Sequence, residues 1–496
     1  MVISDPVYFI ALPLLTAFLL PLFGKIYKPL IGIIPGLLFA FIAYISFDLY
    51  LNLVPGKPIV IQLAGWAPPW GINLVFSELS GFVVTLITFL AFLVWVYSYN
   101  FKKVGFDNSK KYFTLLMLLV AGSIGVVLTG DIFNMFVFLE ITAISSYGLT
   151  AFYKGRDSAE AAFKFLLVGS LSSTFILLAI LLLYKQVGTL NMAEIAVKAQ
   201  SIDPKMKSII AILFMIGLGI EAEMFPMNGW VPDAYSQAPG PVAASFAGML
   251  AKSGIYALVR VFYTVLEVDG IFDLLLIMGI LTIIFAEFSA MRQTRLRRML
   301  AYSSIGQMGL IMVAFSFNTK AGIFAGLFLM FNHAIIKSLL FLASGFLTYS
   351  TKQKKIRDLD GFGKIMPFTS LMFGLGAFAI VGLPPFSGFW GKLNMLVATA
   401  DSNLYFVIAL ILLVAVVEVV YYFKVIGRLY FRQQHKEVEV HKPTWNAIAA
   451  MSVLAIVIIG VGIYPDLITD YLTKATNELF DKASYIHNVL PNLSLN

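Results

Sequence analysis

The chain has 496 residues, of which 59% are apolar and 12% charged, and its mean hydropathy is +0.88. A soluble domain of that size carries roughly a quarter charged and about half apolar residues, so the composition excludes an ordinary soluble fold. The net charge of +8 would suggest nucleic acid in a soluble protein, but here most cations fall in short loops, and the absence of cysteine excludes a disulfide framework, a thiolate metal site and an iron–sulfur cluster held by this chain.

Runs of about 17 or more nearly uncharged residues recur, each long enough to cross a bilayer as a helix. They are too long for the roughly ten-residue alternation of a membrane barrel, so an all-α integral membrane protein of about fourteen spans is expected. The spans begin near Val7, Leu30, Ser77, Tyr112, Ile132, Ala161 and Lys207, then near Pro241, Gly270, Arg297, Gly322, Pro367, Leu404 and Trp445. The first lacks a basic leader and a small-residue cleavage site and reads as a retained helix.

Cations cluster after alternate spans: Lys25 and Lys28, Lys102 with Lys103, Lys110 and Lys111, then Lys154 and Arg156. Further on they are Arg292 to Arg298, Lys352 to Lys364, and Arg428 to Lys442. The intervening loops are poorer in cations, apart from four lysines in Lys185–Lys207. By the positive-inside rule the basic loops face the cytoplasm and both termini face outward, in a multi-pass protein of the cell membrane. The tryptophan- and proline-rich Gly65–Trp70 fits an outer interfacial belt, and Asp466–Asn496 reads as an outer amphipathic helix, a partner contact or a disordered tail.

Two spans break the helical rule. The seventh contains Glu221–Ala222–Glu223–Met224–Phe225–Pro226, and the twelfth contains Gly382–Leu383–Pro384–Pro385. Proline removes a backbone donor and clashes with the preceding turn, so both helices should be discontinuous at Pro226 and at Pro384 and Pro385. Glu221 flanks the first break and Lys392 follows the second. Interrupted helices in corresponding positions of two halves point to an inverted repeat with an ion site.

A charge at the bilayer centre costs about 2.5–3.5 kcal/mol on insertion scales, so ionisable residues inside spans ask for a functional reason. Glu140 lies inside Ile132–Phe152, and Lys252 about a dozen residues into Pro241–Leu266. Lys164 stands near a span start, where it either snorkels to the headgroups or joins the interior. Glu221 and Glu223 either exchange protons at the break or cap the half-helix behind it. His333 and Lys337 are four apart and share a helix face, and histidine relays protons through two ring nitrogens. Asn332, Ser303, Ser304 and Gln307 read best as interhelical hydrogen-bonding residues. The expected proton path runs through Glu140, Lys164, Glu221, Glu223, Lys252, His333, Lys337 and Lys392. No phosphate-binding glycine loop is present and the four scattered histidines have no metal-ligand spacing, so neither a metal nor a cofactor is expected.

At these residues the chain resembles the antiporter-like membrane subunits shared by respiratory complex I, Mrp-type cation/proton antiporters and membrane-bound hydrogenases. The resemblance rests on Gly130–Asp131–Ile132–Phe133–Asn134 through Glu140, Ala161–Ala162–Phe163–Lys164, and Phe225–Pro226 through Trp230–Val231–Pro232–Asp233. It continues through Lys252–Ser253–Gly254, Ala301–Tyr302–Ser303–Ser304–Ile305–Gly306–Gln307, Asn332–His333 to Lys337, and Gly382–Leu383–Pro384–Pro385 to Lys392. It implies fourteen helices with two inverted five-helix repeats: helices 1–3 in 1–110, the repeats in 111–266 and 267–432, and helix 14 with an outer tail in 433–496. Glu140, Lys252, His333, Lys337 and Lys392 match the family's charged positions.

Two departures stand out. Glu221 occupies the place of a usual lysine, and Arg295 that of a frequent acid. Two close carboxylates share a proton unless a cation intervenes; Lys252, Lys164 or a sodium ion is the expected source of that charge. The resemblance implies a proton-translocating or sodium/proton-exchanging subunit among other membrane subunits, in a redox-driven hydrogenase or reductase complex or, alternatively, a gradient-driven Mrp antiporter. A solute permease is the remote alternative, and no nucleic-acid partner is expected.

Overall fold

The computed structural model describes residues 5–99, 106–433 and 440–490. Lys102, Lys103 and Lys436, used above to orient the loops, lie outside them. In chain order the first helices are α1 (Tyr8–Ile26), α2 (Leu30–Leu51), α3 (Glu78–Ser98), α4 (Phe106–Leu128), α5 (Ile132–Thr150) and α6 (Arg156–Val187). Then come α7 (Met192–Lys198), α8 (Pro204–Glu221), α9 (Trp230–Gln237), α10 (Gly240–Ser245) and α11 (Ala251–Arg260). They are followed by α12 (Ile271–Arg292), α13 (Leu296–Ser316), α14 (Lys320–Thr351), α15 (Phe362–Ile365), α16 (Pro367–Val381) and α17 (Ser387–Asp401). The last are α18 (Tyr405–Phe431), α19 (Trp445–Ile463), α20 (Asp466–Phe480) and α21 (Lys482–Val489).

Among the described residues, 12 helical segments are long and apolar enough to cross a membrane. Apart from α4 and α6, which begin well before the expected Tyr112 and Ala161, the starts lie within a few residues of the sequence expectation, because capping chemistry marks the ends. Ser77 caps α3, Asp131 caps α5, Thr319 caps α14 and Thr444 caps α19, each accepting from a backbone N–H of the first turn. Pro204 and Pro367 open α8 and α16, where their missing N–H is not needed.

The expectation of an all-helical chain needs one correction. Ile59–Gln62 (β1) and Asn73–Phe76 (β2) pair antiparallel, with Ile59 opposite Phe76. Outside the bilayer, backbone groups can pair as strands without closing a barrel, so a helix is not obligatory there. The turn of this hairpin carries Trp66 and Trp70, both exposed.

The layout puts α3, α13 and α14 in the middle. Most of the apolar window of α13 and α14 is enclosed, 94% in each, whereas α1, α6, α12 and α18 leave a broad apolar flank uncovered. The interior surrounds the charged residues, and the rim is suited to lipid tails or neighbouring subunits.

Both expected breaks are present. α8 stops at Glu221 and the chain resumes as helix at Trp230, and α16 stops at Val381 and the chain resumes as helix at Ser387. Glu223 sits in the break with φ 63°, a left-handed conformation uncommon outside glycine. A third irregularity was not foreseen. The segment Gly240–Val265 contains π-helical turns at Phe246–Leu250 and Val261–Val265, on either side of α11 and its Lys252. The C-terminal α20 is an amphipathic helix docked by Glu478, which accepts from Ser77 Oγ at 2.8 Å, the Leu79 N–H at 2.6 Å and Arg260 at 3.3 Å. Residues 491–496 of the expected tail lie outside the described ones.

Candidate functional site

The polar interior is assembled on α13. Ser303, Ser304 and Gln307 project from successive positions of this enclosed helix, and each holds an ionisable group from another element.

Ser304 is the first joint. Its hydroxyl lies 2.9 Å from His333 Nε2, and 3.4 Å from Glu223 Oε2, to which it donates. The other ring nitrogen, Nδ1, is 2.5 Å from Lys252 Nζ. Met308 Sδ adds a soft contact to the same ammonium at 3.6 Å. Glu223 also accepts from the Tyr235 hydroxyl. Glu223 and Lys252 are completely enclosed, and His333 is 1% exposed. One hydrogen-bonded run therefore links Tyr235, Glu223, Ser304, His333 and Lys252 across α9, the first break, α13, α14 and α11.

Ser303 is the second joint. Lys337 Nζ donates to its hydroxyl at 2.7 Å, to Tyr422 Oη at 3.1 Å and to the Leu300 carbonyl at 3.3 Å. Tyr421 lies 2.9 Å from Ser303 and donates to Glu287 at 2.9 Å. The second Glu287 oxygen has no hydrogen-bond partner among the described residues, and a Cβ on Gly306 would overlap it. Glycine at 306 is thus what leaves room for the carboxylate.

Gln307 is the third joint, one turn beyond Ser303. Its amide donates to Glu418 at 2.5 Å, and the other Glu418 oxygen is paired with Lys392. Lys392 also donates to the Val381 carbonyl at 3.0 Å, the last residue before the second break. That break frees a carbonyl, and the lysine satisfies it. Asn332 donates to the Ser387 carbonyl at 3.0 Å, at the start of the helix that follows the break. At the first break the Phe225 N–H is taken by Thr282 at 3.0 Å and the Glu223 carbonyl by Asn228 at 3.2 Å.

Glu140 and Glu221 stand apart from these three joints. Glu140 is half-buried and accepts from Ser173, while the neighbouring Ser172 lies against Glu221 and donates to the Gly217 carbonyl at 2.9 Å. Glu140 and Glu221 are near enough to repel each other. Neither lysine suggested as their countercharge is beside them. Lys252 is engaged with His333, and Lys164 is half-exposed, paired with Glu160 at 2.8 Å and Asp233 at 3.1 Å. One turn of spacing lets Glu160 hold Lys164 at the surface, so the structure does not bring it to the interior.

Glu287, Glu418, Tyr235, Tyr421 and Tyr422 were missed from sequence. The two glutamates had the same signal as Glu140, a lone acid inside an apolar run, as in Ile283–Ile284–Phe285–Ala286–Glu287. The tyrosines had none, since a buried tyrosine is ordinary packing until its hydroxyl finds a partner. Among the described residues no cluster of three or more His, Cys, Asp or Glu is arranged to hold a metal.

Comparison with known proteins supplies the ancestry. The family model described as NADH:quinone oxidoreductase/Mrp antiporter, TM matches residues 129–418, which contain all three joints. NADH-quinone oxidoreductase subunit N of Desulforudis audaxviator is 33% identical over 434 residues, covering 86% of each chain. A subunit of the Na(+)/H(+) antiporter of Alkalihalophilus pseudofirmus is 29% identical over 454 residues, covering 90% of each. A chain in the structure of the membrane-bound sulfane sulfur reductase, an archaeal respiratory membrane complex, superposes with a TM-score of 0.92 at 40% identity, covering 98% of this chain and 100% of that one. This multi-pass membrane chain therefore belongs to the NADH:quinone oxidoreductase/Mrp antiporter transmembrane family.

Proposed function

We propose that the chain is the proton-translocating subunit of a multisubunit energy-converting membrane complex. The observation that carries this reading is a set of three buried clusters of ionisable groups ranged along α13, bridged in turn by Ser304, Ser303 and Gln307, from Tyr235 and Glu223 to Lys392. Groups that hold protons, spaced by groups that both donate and accept, are what proton hopping requires. Glu140 and Glu221 take up charge at one end. A change there is felt at Glu223, then at the Lys252–His333 pair, then at Lys337, and finally at the Lys392–Glu418 pair beside the second break.

In this reading the interrupted pairs α8–α9 and α16–α17 each count as one crossing, which brings the spans to fourteen. Residues 111–266 and 267–432 form two inverted repeats, each with its own break. The basic loops face the cytoplasm and both termini face out, in the cell membrane. The uncovered apolar flanks adjoin lipid and other subunits of the complex.

A redox-driven reductase or hydrogenase assembly is favoured over a gradient-driven antiporter. The 40% identity to a sulfane sulfur reductase chain supports it, as does glutamate rather than lysine at position 221. The antiporter reading retains the support of 90% mutual coverage with a chain of an Na(+)/H(+) antiporter. Proton and sodium flux in vesicles holding the whole complex, compared with its Glu140→Ala form, tests the proposal. Flux lost with Glu140→Ala is the expected result, and unchanged flux of both ions refutes it. Repeating the assay with Glu221→Gln reads whether the carboxylate pair governs sodium dependence.

A further inference from the structure

Away from the polar interior, at the end of the molecule where the basic loops gather, lies a cavity of about 710 Å³. Its rim is cationic. Arg295, Arg297 and Arg298 come from the α12–α13 connection and the start of α13, Lys352 and Lys354 from beyond the end of α14, and Lys442 from just before α19. Arg156 adds a further cation from the first turn of α6, and Asp157 is the sole carboxylate among the described lining residues. Its inner wall is of another character: Tyr97, Pro241, Phe346 and Ala447.

Some of these cations are accounted for. Arg298 is paired with Asp233, and Arg297 donates to the carbonyls of Tyr235 at 2.7 Å and Ala238 at 2.5 Å. Arg156, Arg295, Lys352, Lys354 and Lys442 make no ion pair among the described residues. Like charges converging on one cavity repel, and an anion inside would relieve them. The cation-rich rim and apolar floor together select an amphiphile, with charge at one end and hydrocarbon at the other. The volume lies in the range of sites that enclose an organic ligand.

We propose that this cavity binds the phosphodiester headgroup of an anionic lipid, which ties the α5–α6 and α12–α13 connections to the ends of α14 and α19. Basic recesses between transmembrane helices recognise lipid headgroups by this chemistry. The proposal is independent of ion conduction, because none of the five unpaired cations belongs to the interior chain.

The test uses the full chain with its associated subunits, purified in neutral detergent and stripped of lipid. Phosphatidylglycerol, phosphatidylcholine or inorganic phosphate is added back, with lipid retention read by native mass spectrometry and the thermal midpoint read in parallel. Phosphatidylglycerol should be retained and raise the midpoint, and phosphatidylcholine should not. The combined variant Arg295→Gln/Lys352→Gln/Lys354→Gln/Lys442→Gln should weaken that retention at least about tenfold, since each basic residue near the surface contributes to anionic-lipid attraction. The charge-keeping Lys352→Arg/Lys354→Arg/Lys442→Arg variant should preserve it, which separates lost charge from lost folding. Equal retention by the neutralised variant, equal response to phosphatidylcholine, or a full midpoint rise with inorganic phosphate alone would overturn the assignment.

Discussion

Lys252 and His333 meet across α11 and α14, with the ammonium nitrogen 2.5 Å from Nδ1 of the ring and no carboxylate between them. A lysine and a histidine at that separation cannot both be cationic at low cost, so they hold one proton more readily than two. Passing it from Nζ to the ring and on from Nε2 to Ser304 needs no large movement. Lys252→Met and His333→Gln should each lower proton flux about a hundredfold, the usual scale for removing an acid–base group. Near-normal flux in either variant, measured in vesicles at matched protein levels, would leave the pair as packing.

Lys164 supplies the contrast. It is held at the surface by Glu160 and Asp233, and exposed ion pairs contribute little to stability. Lys164→Met should leave the thermal midpoint almost unchanged. Flux should also survive, within about threefold, because Asp233 keeps its second partner, Arg298. A loss as deep as that of Lys252→Met would return Lys164 to the conducting set.

Gly306 offers a test that removes no ionisable group. A methyl there would overlap Glu287 Oε1, and α13 and α12 pack too closely to yield. Gly306→Ala should displace the carboxylate from Tyr421 and reduce flux at least about tenfold, while Gly427→Ala, where a Cβ meets nothing, should be neutral. Flux measurements on the two alanine variants side by side distinguish the outcomes.

At the opposite end from the basic cavity, Arg260 and Glu478 form an ion pair, 4% and 11% exposed, that anchors α20. Removing one partner of a buried pair leaves the other uncompensated, at a cost of about 3–5 kcal/mol. Arg260→Met should lower the thermal midpoint or release α20 to protease, and Arg260→Met/Glu478→Leu should restore much of the loss. If the double variant is as unstable as the single one, the pair is not what docks the helix.

The span starts were legible because bilayer thickness and caps such as Ser77 and Asp131 are local rules. Charged residues at Glu140, Lys252 and Lys392 were legible for the same reason: hydrocarbon makes each one conspicuous. Their partners were not. Nothing local in Ser303–Ser304 distinguishes a pair of connecting hydroxyls from ordinary helix-packing serines, and only the approach of α14 and α18 assigns each its neighbour. Lys392 could be read from sequence as a charge beside a break, but its carboxylate comes from Glu418, 26 residues away. Lys164 shows the converse: both its fates were open in the sequence, and Glu160 one turn before it, with Asp233 from α9, holds it at the surface.

The paired π-helical turns around α11 bear on how this chain tolerates change. Each closes its hydrogen bond one residue later than an α-turn, so each stores a surplus residue within the bilayer. Losing one residue from Phe246–Leu250 would let that turn relax to ordinary winding while the helix on either side keeps its phase. Lys252 would then still face His333, whereas a deletion in the α-wound Gly240–Ser245 would swing everything on one side of it by about 100°. Side-chain substitutions leave that angular phase alone. The segment should therefore tolerate a one-residue deletion within Phe246–Leu250 far better than one in the α-helical turns beside it.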